Sequence, residues 1–97
     1  MRNPVFKSKG IKKKATSYEK SGEEIIFRLY GTNIVIIRPH EIELNTGGYG
    51  TVITKRRMNQ ISREFELGYN IFQKDRTWYV DYMGQIVHMG RNIVLNR

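Results

Sequence analysis

Three consecutive cations, Lys55, Arg56 and Arg57, open the segment of this chain that reads most clearly as a helix. A helix N-terminus carries unpaired amides and the positive end of the macrodipole, so each cation there is unfavourable by about 0.3–1 kcal/mol. A bound phosphate reverses that sign, because free N–H groups and three cations then converge on one anion. At about 100° per residue, Arg56, Asn59, Gln60 and Arg63 project opposite the apolar stripe of the helix. There they could read a groove or an acidic partner surface; an ordinary solvated helix face is the plainer alternative.

A second group of cations, Lys12, Lys13 and Lys14, lies near the N-terminus. Such runs lie along phosphates and exchange condensed counterions for protein contacts without reading sequence, although a solubilising tail has the same composition. Tyr79 is the third candidate. In a strand with Trp78, Val80 and Tyr82 on one face, Tyr79 and Asp81 take the other. An exposed ring there, beside Lys74 or Arg76, is a stacking platform for a base, although tyrosine is also an ordinary strand residue. Phosphate contact and stacking together point to a binder of nucleic acid or of a nucleoprotein complex.

Nothing comparable points to catalysis. His40 and His88 stand far apart, neither at a spacing from a carboxylate or hydroxyl that defines a metal or nucleophile motif. Glu41 and Glu43 share a strand face and could pair as acid and base, but an outward, solvated face accounts for both. The absence of cysteine excludes a disulfide framework, a thiolate metal site and a cysteine nucleophile together. The glycine-rich stretch Asn45–Gly50 lacks the Gly-x4-Gly-Lys-Ser/Thr signature of a phosphate loop and reads as a plain connection. The expectation is a protein that is not an enzyme, with no cofactor and no metal.

The elements that must position these residues are limited by size. The chain has 97 residues, enough for one small domain, and seventeen Lys and Arg against nine Asp and Glu give a net charge of +8. Seven of the basic side chains, but only Glu19 among the acidic ones, fall within the first 20 residues. That segment has too few apolar residues to offset its ordering entropy. The expected division is a basic flexible arm over residues 1–22 and a single, nearly neutral α+β domain over 23–97. The longest apolar run, Ile34–Ile37, falls far short of the roughly 20 residues that span a bilayer, and the N-terminus lacks the apolar region of a signal peptide. No membrane association and a cytoplasmic location are therefore expected.

Strand periodicity places Ile25, Phe27 and Leu29 on one face, and sets Ile42 and Leu44 against Glu41 and Glu43. The unbroken run Ile34–Ile37 fits a strand at the sheet centre or covered on both faces. The helix is expected from about Lys55 to Leu67, with Thr54 as N-cap, Ile53 and Met58 as a hydrophobic staple and Gly68 in the left-handed position at its end. Met58, Ile61 and Phe65 form its core stripe. Tyr69–Gln73 and Trp78–Tyr82 flank a polar connection of hairpin length, and Ile86–Met89 and Ile93–Leu95 supply an optional terminal hairpin. The order is β-β-β-α-β-β: a small antiparallel sheet of about five to seven short strands with one helix packed on one face. Ile93–Leu95 as an edge strand could pair with a second copy, so monomer and homodimer are both open.

Thr46, Gly47, Gly48, Tyr49 and Thr51, then Thr54, Lys55, Arg57, Met58 and Asn59, and finally Phe65, Leu67, Gly68, Gln73, Lys74, Asp75, Trp78, Tyr79 and Val80 carry a resemblance. The chain is similar, from about Tyr30 to Val80, to a family of small phage-encoded proteins with the pattern GG-aromatic-x-T-x-TTK-x-RMN, a helix, and F-QKD-x-x-WYV. Ile53 replaces the first of the family's paired threonines, and the long basic arm is a further departure. The resemblance implies a phage origin and brings no catalytic residue with it. It frames two expectations. One is an accessory protein whose Lys12–Lys14 and Lys55–Arg57 touch the phosphates of a nucleic acid or host nucleoprotein complex. The alternative is a protein-directed, anti-CRISPR-like inhibitor of a host defence complex, acting through the helix face and the aromatic hairpin; a chain this basic is no simple DNA mimic. Either would act in the cytoplasm of the host cell.

Overall fold

The computed structural model describes residues 16–48 and 51–97. Lys12, Lys13 and Lys14 lie outside the described residues, as do Tyr49 and Gly50 of the glycine-rich connection. The described chain runs β1 (Thr16–Ser21), β2 (Glu24–Leu29), β3 (Thr32–Ile37), β4 (Glu41–Asn45), α1 (Val52–Glu64), β5 (Tyr69–Lys74), β6 (Thr77–Tyr82), β7 (Gln85–His88) and β8 (Asn92–Asn96). The class is α+β. Its strands divide between two antiparallel sheets rather than forming one: β1-β2-β3-β4-β8 and β5-β6-β7.

The first strand begins inside the segment expected to be an arm. Thr16–Ser21 pairs with β2 along its whole length, and the Tyr18 ring stacks on Phe27 with centroids 5.9 Å apart. Backbone pairing to an otherwise open edge orders a stretch whose composition alone could not. In the middle of the large sheet, the β2–β3 register shifts between Phe27 and Arg28, which face Val35 and Asn33. Ile34 is the extra residue, and the bulge lets Ile34 and Val35 both reach the core. This accounts for an apolar run that simple alternation does not permit.

The last two strands do not form the expected terminal hairpin. β7 pairs with β6, whereas β8 returns to β4 and sets Leu95 opposite Ile42 and Ile93 opposite Leu44. Without β8, the strand carrying the fully buried Ile42 and Leu44 would be an open edge. One core joins the two sheets and the helix, with Phe27, Ile34, Leu44, Met58, Ile61, Ile71 and Val80 all fully buried.

Helix α1 starts three residues earlier than the spacing predicts. Thr51 is the N-cap: its Oγ1 accepts the Thr54 N–H at 3.1 Å, and the two threonine hydroxyls lie 3.0 Å apart. Thr54 is instead the third helical residue and is buried. Two threonines three residues apart carry the same capping signature, and only tertiary burial separates them. With the cap at Thr51, Ile53 lies inside the helix and the Ile53–Met58 staple does not arise. At the far end, Gly68 is left-handed as expected, with φ 84°, but the position that directly follows the cap is taken by Glu66, also left-handed with φ 54°. The Leu67 N–H then reaches the Ser62 carbonyl at 2.9 Å, closing a Schellman turn. The stripe behaves as expected: Met58 and Ile61 are fully buried, and Phe65 meets Phe27 edge to face at 5.2 Å.

Candidate nucleic-acid interface

α1 lies beside β5, the first strand of the small sheet, and bonds to its backbone. Asn59 Nδ2 donates to the Ile71 carbonyl at 2.9 Å, while the Ile71 N–H donates to Asn59 Oδ1 at 2.8 Å. Nearly one turn on, Ser62 Oγ donates to the Tyr69 carbonyl at 2.7 Å and accepts the Tyr69 N–H at 3.2 Å. The Tyr69 hydroxyl donates to the Met58 carbonyl at 2.6 Å, and its burial raises the phenol pKa. These pairs fix a direction. Helix and strand run antiparallel, so the N-terminal half of α1 lies toward the Lys74 end of β5 and the turn that follows.

That turn consists of Asp75 and Arg76 alone, both in the left-handed region with φ 52° and 66°. Its twist matches that of the flanking strands. Lys74 and Arg76 thereby share one end of the helix–hairpin unit with Lys55 and Arg56. Arg56, Lys74 and Arg76 are exposed and Lys55 is half-buried. None of the four has an ion-pair partner among the described residues. Glu64, Glu66 and Asp81 occupy the opposite end, leaving Asp75 as the one carboxylate at the basic end.

Two arginines on the side of the large sheet, Arg28 and Arg38, are paired, whereas Arg91 and Arg97, which flank β8, form no ion pair among the described residues. Arg28 is paired with Glu19. Arg38 donates through Nε to Glu24 at 2.9 Å and through Nη2 to Glu43 at 3.0 Å, with Glu41 at 3.7 Å. Asn92, followed by Arg38, holds the Glu43 carboxyl below its ordinary value. The Glu24 and Glu43 hydrogen bonds in turn raise the Arg38 guanidinium pKa.

The residues singled out from the sequence separate once folded. Lys55, Arg56 and Arg57 are the fourth to sixth helical residues, because α1 begins at Val52. Its first turn is uncharged, and the Thr54 amide is already bonded to Thr51. The expected convergence of free amides and three cations is therefore absent. Asn59 faces β5 rather than a groove, and Gln60 accepts a hydrogen bond from Arg57 Nη1 at 3.0 Å. Arg56 and Arg63 are exposed.

Tyr79 is half-buried on the outer face of the small sheet, as the strand alternation indicates. It stacks on Phe72 with centroids 5.6 Å apart and planes at 23°, and meets His88 edge to face at 5.9 Å. Phe72, Tyr79 and His88 are direct cross-strand partners. Asn70, Lys74, Asp81 and Ile86 share their face and are exposed, whereas Tyr69, Ile71 and Val80 on the reverse face join the core. The sequence reading does not join Tyr79 to Phe72 or His88. The signal is the two-residue loop at Asp75–Arg76, from which counting outward pairs Phe72 with Tyr79.

Among the described residues, no group of three His, Cys, Asp or Glu is placed to hold a metal ion. A family model described as Kyanoviridae Gp96 protein matches residues 1–93 of the chain. No curated protein and no solved structure matches it.

Proposed function

The chain belongs to the Kyanoviridae Gp96 protein family, and we propose that this phage protein is a non-enzymatic accessory protein that binds nucleic acid through its phosphates. One observation carries the reading: Lys55, Arg56, Lys74 and Arg76 gather at one end of the helix–hairpin unit with no carboxylate paired to them among the described residues. Arg28 and Arg38, on the other sheet, are committed to glutamates. Cations left clustered in this way repel one another unless an anion joins them, and a polyphosphate backbone supplies anions in a row. Lys12, Lys13 and Lys14 would extend the contact along the same backbone.

Fluorescence anisotropy of the full chain with labelled DNA and RNA, between about 50 and 200 mM salt, tests the reading. Affinity falls steeply with salt, and each cation removed lowers the slope of log affinity against log salt by roughly 0.7–0.9. Lys55→Ala with Arg56→Ala weakens binding to all sequences alike. Replacing Lys12, Lys13 and Lys14 by serine does the same. Salt-independent binding, or no binding to any probe, overturns the reading and leaves a host protein as the class of target.

A further inference from the structure

We propose that the half-open cavity beside the Gly22–Glu23 turn holds a small amphipathic carboxylate, with its hydrocarbon body in the cavity and its head between Lys20 and Arg97. The cavity lies at the C-terminal end of α1, away from Lys55 and Arg56, so the site goes beyond the nucleic-acid reading.

Cross-strand pairing sets Lys20, Ile25, Ile37, Ile42 and Leu95 in one row on the inner face of the large sheet. Ile37, Ile42 and Leu95 are buried, Ile25 is partly buried and Lys20 is exposed. Cover thins toward β1, where α1 has already ended and Phe65 and Leu67 form the opposite wall. The space left between them is a cavity of about 370 Å³, near the low end of the roughly 300–1,000 Å³ of small-ligand sites. Ile25, Ile37, Phe65 and Leu67 give it apolar walls. A hydrocarbon loses nothing there, whereas a sugar or a base would leave polar groups without their water.

The rim supplies the charge. Lys20, Arg38 and Arg97 stand at it with one carboxylate, Glu23. Arg38 is already held by Glu24 and Glu43. Arg97 is held in place by carbonyls: its Nη1 donates to that of Arg38 at 3.3 Å and its N–H to that of His40 at 3.0 Å. Neither Lys20 nor Arg97 forms an ion pair among the described residues. Two uncommitted cations against Glu23 leave the mouth positive, and a carboxylate neutralises it. An inward lysine on an edge strand also deters pairing with another chain, which accounts for Lys20 but not for the cavity beside it or for Arg97 at the same rim.

The test adds decanoate, below the concentration at which it forms micelles, to the full chain with its Ile and Leu methyl groups labelled for NMR. The signals of Ile25, Ile37 and Leu67 move and saturate, while that of Ile86, exposed on the small sheet, stays in place. Acetate, the head without the body, moves none of them. Decanol, the same chain without the charge, binds about five-fold more weakly than decanoate. Lys20→Met removes the charge at similar length, weakens decanoate about five-fold and leaves decanol unchanged. Unmoved methyl signals, decanol bound as tightly as decanoate, or decanoate bound as tightly by the Lys20→Met protein overturn the proposal. Signals that move on raising the protein concentration alone identify a second copy as the occupant and overturn it as well. The phosphate contacts at the other end of α1 are read separately by anisotropy and stand or fall on that result.

Discussion

Asn59 stands beside Ile71 as a neighbouring strand would, donating to its carbonyl at 2.9 Å and accepting its N–H at 2.8 Å. Ser62 repeats the exchange with Tyr69. The margin of a sheet normally presents unpaired backbone groups that invite another chain. Here two helical side chains at i and i+3 occupy them, and the same bonds orient α1 so that its N-terminal half, which carries Lys55 and Arg56, lies toward the Lys74 end of β5.

Replacing Asn59 therefore acts on stability rather than directly on binding. Asn59→Leu leaves both backbone groups of Ile71 without their partner and costs about 1–3 kcal/mol, read as a lower midpoint in urea unfolding. Hydrogen exchange localises the effect, with the Ile71 amide losing protection. An Ile71 amide that exchanges as slowly as before would show that the bonds contribute nothing.

Arg76 holds a left-handed backbone, φ 66°, in a loop without glycine. That conformation costs an L-residue roughly 1–2 kcal/mol, and the greater chain entropy of glycine gives back about 0.5–1 kcal/mol of the gain on substitution. Arg76→Gly is expected to stabilise the protein by about 0.5–1 kcal/mol while weakening its hold on nucleic acid. Thermal unfolding and anisotropy on the same sample measure the two effects. A variant both less stable and unchanged in affinity contradicts the assignment of Arg76.

Glu43 governs the acid limb. Asn92 and Arg38 hold its folded pKa below the ordinary value of 4.5, so the unfolded chain takes up its proton first as pH falls. The stabilisation is complete above 4.5 and is lost as pH drops from there through the lower folded value. Glu43→Gln flattens that part of the stability profile and leaves the profile near neutral pH with the same slope. Urea unfolding at a series of acidic pH values tests this, and an unchanged acid limb counts against the network.

Tyr69 governs the alkaline limb with the opposite sign. Its buried phenol keeps the proton above the ordinary value of 10.0, whereas the unfolded chain releases it there. Stability is complete below 10.0 and falls as pH rises beyond it. Tyr69→Phe removes that dependence and, by losing the bond to the Met58 carbonyl, costs about 0.5–1.5 kcal/mol at neutral pH. Unfolding followed across alkaline pH separates the two effects, and an alkaline limb that persists in the variant assigns it to another group.

Much of this was legible before folding. The two-residue period of β2 and β4, the core stripe Met58–Ile61–Phe65 and the hairpin around Asp75–Arg76 all follow from the alternation of apolar and polar side chains, which reports locally which face is buried. The basic end was half legible: Lys55, Arg56, Lys74 and Arg76 stand out as cations, but their company does not. Asn59 was misread because a polar helical residue bonded to a strand margin and one bonded to water have the same sequence signature.

By itself the sequence determined the α+β class, the inward faces and the cations available for an anion. The tertiary structure alone decided that Thr51 rather than Thr54 caps the helix, that β8 leaves β7 for β4, and that Phe72, Tyr79 and His88 share one stack. Periodicity is a property of neighbours along the chain, whereas the choice of partner strand, and of which polar group is buried against it, depends on the free energy of closing one core from distant segments.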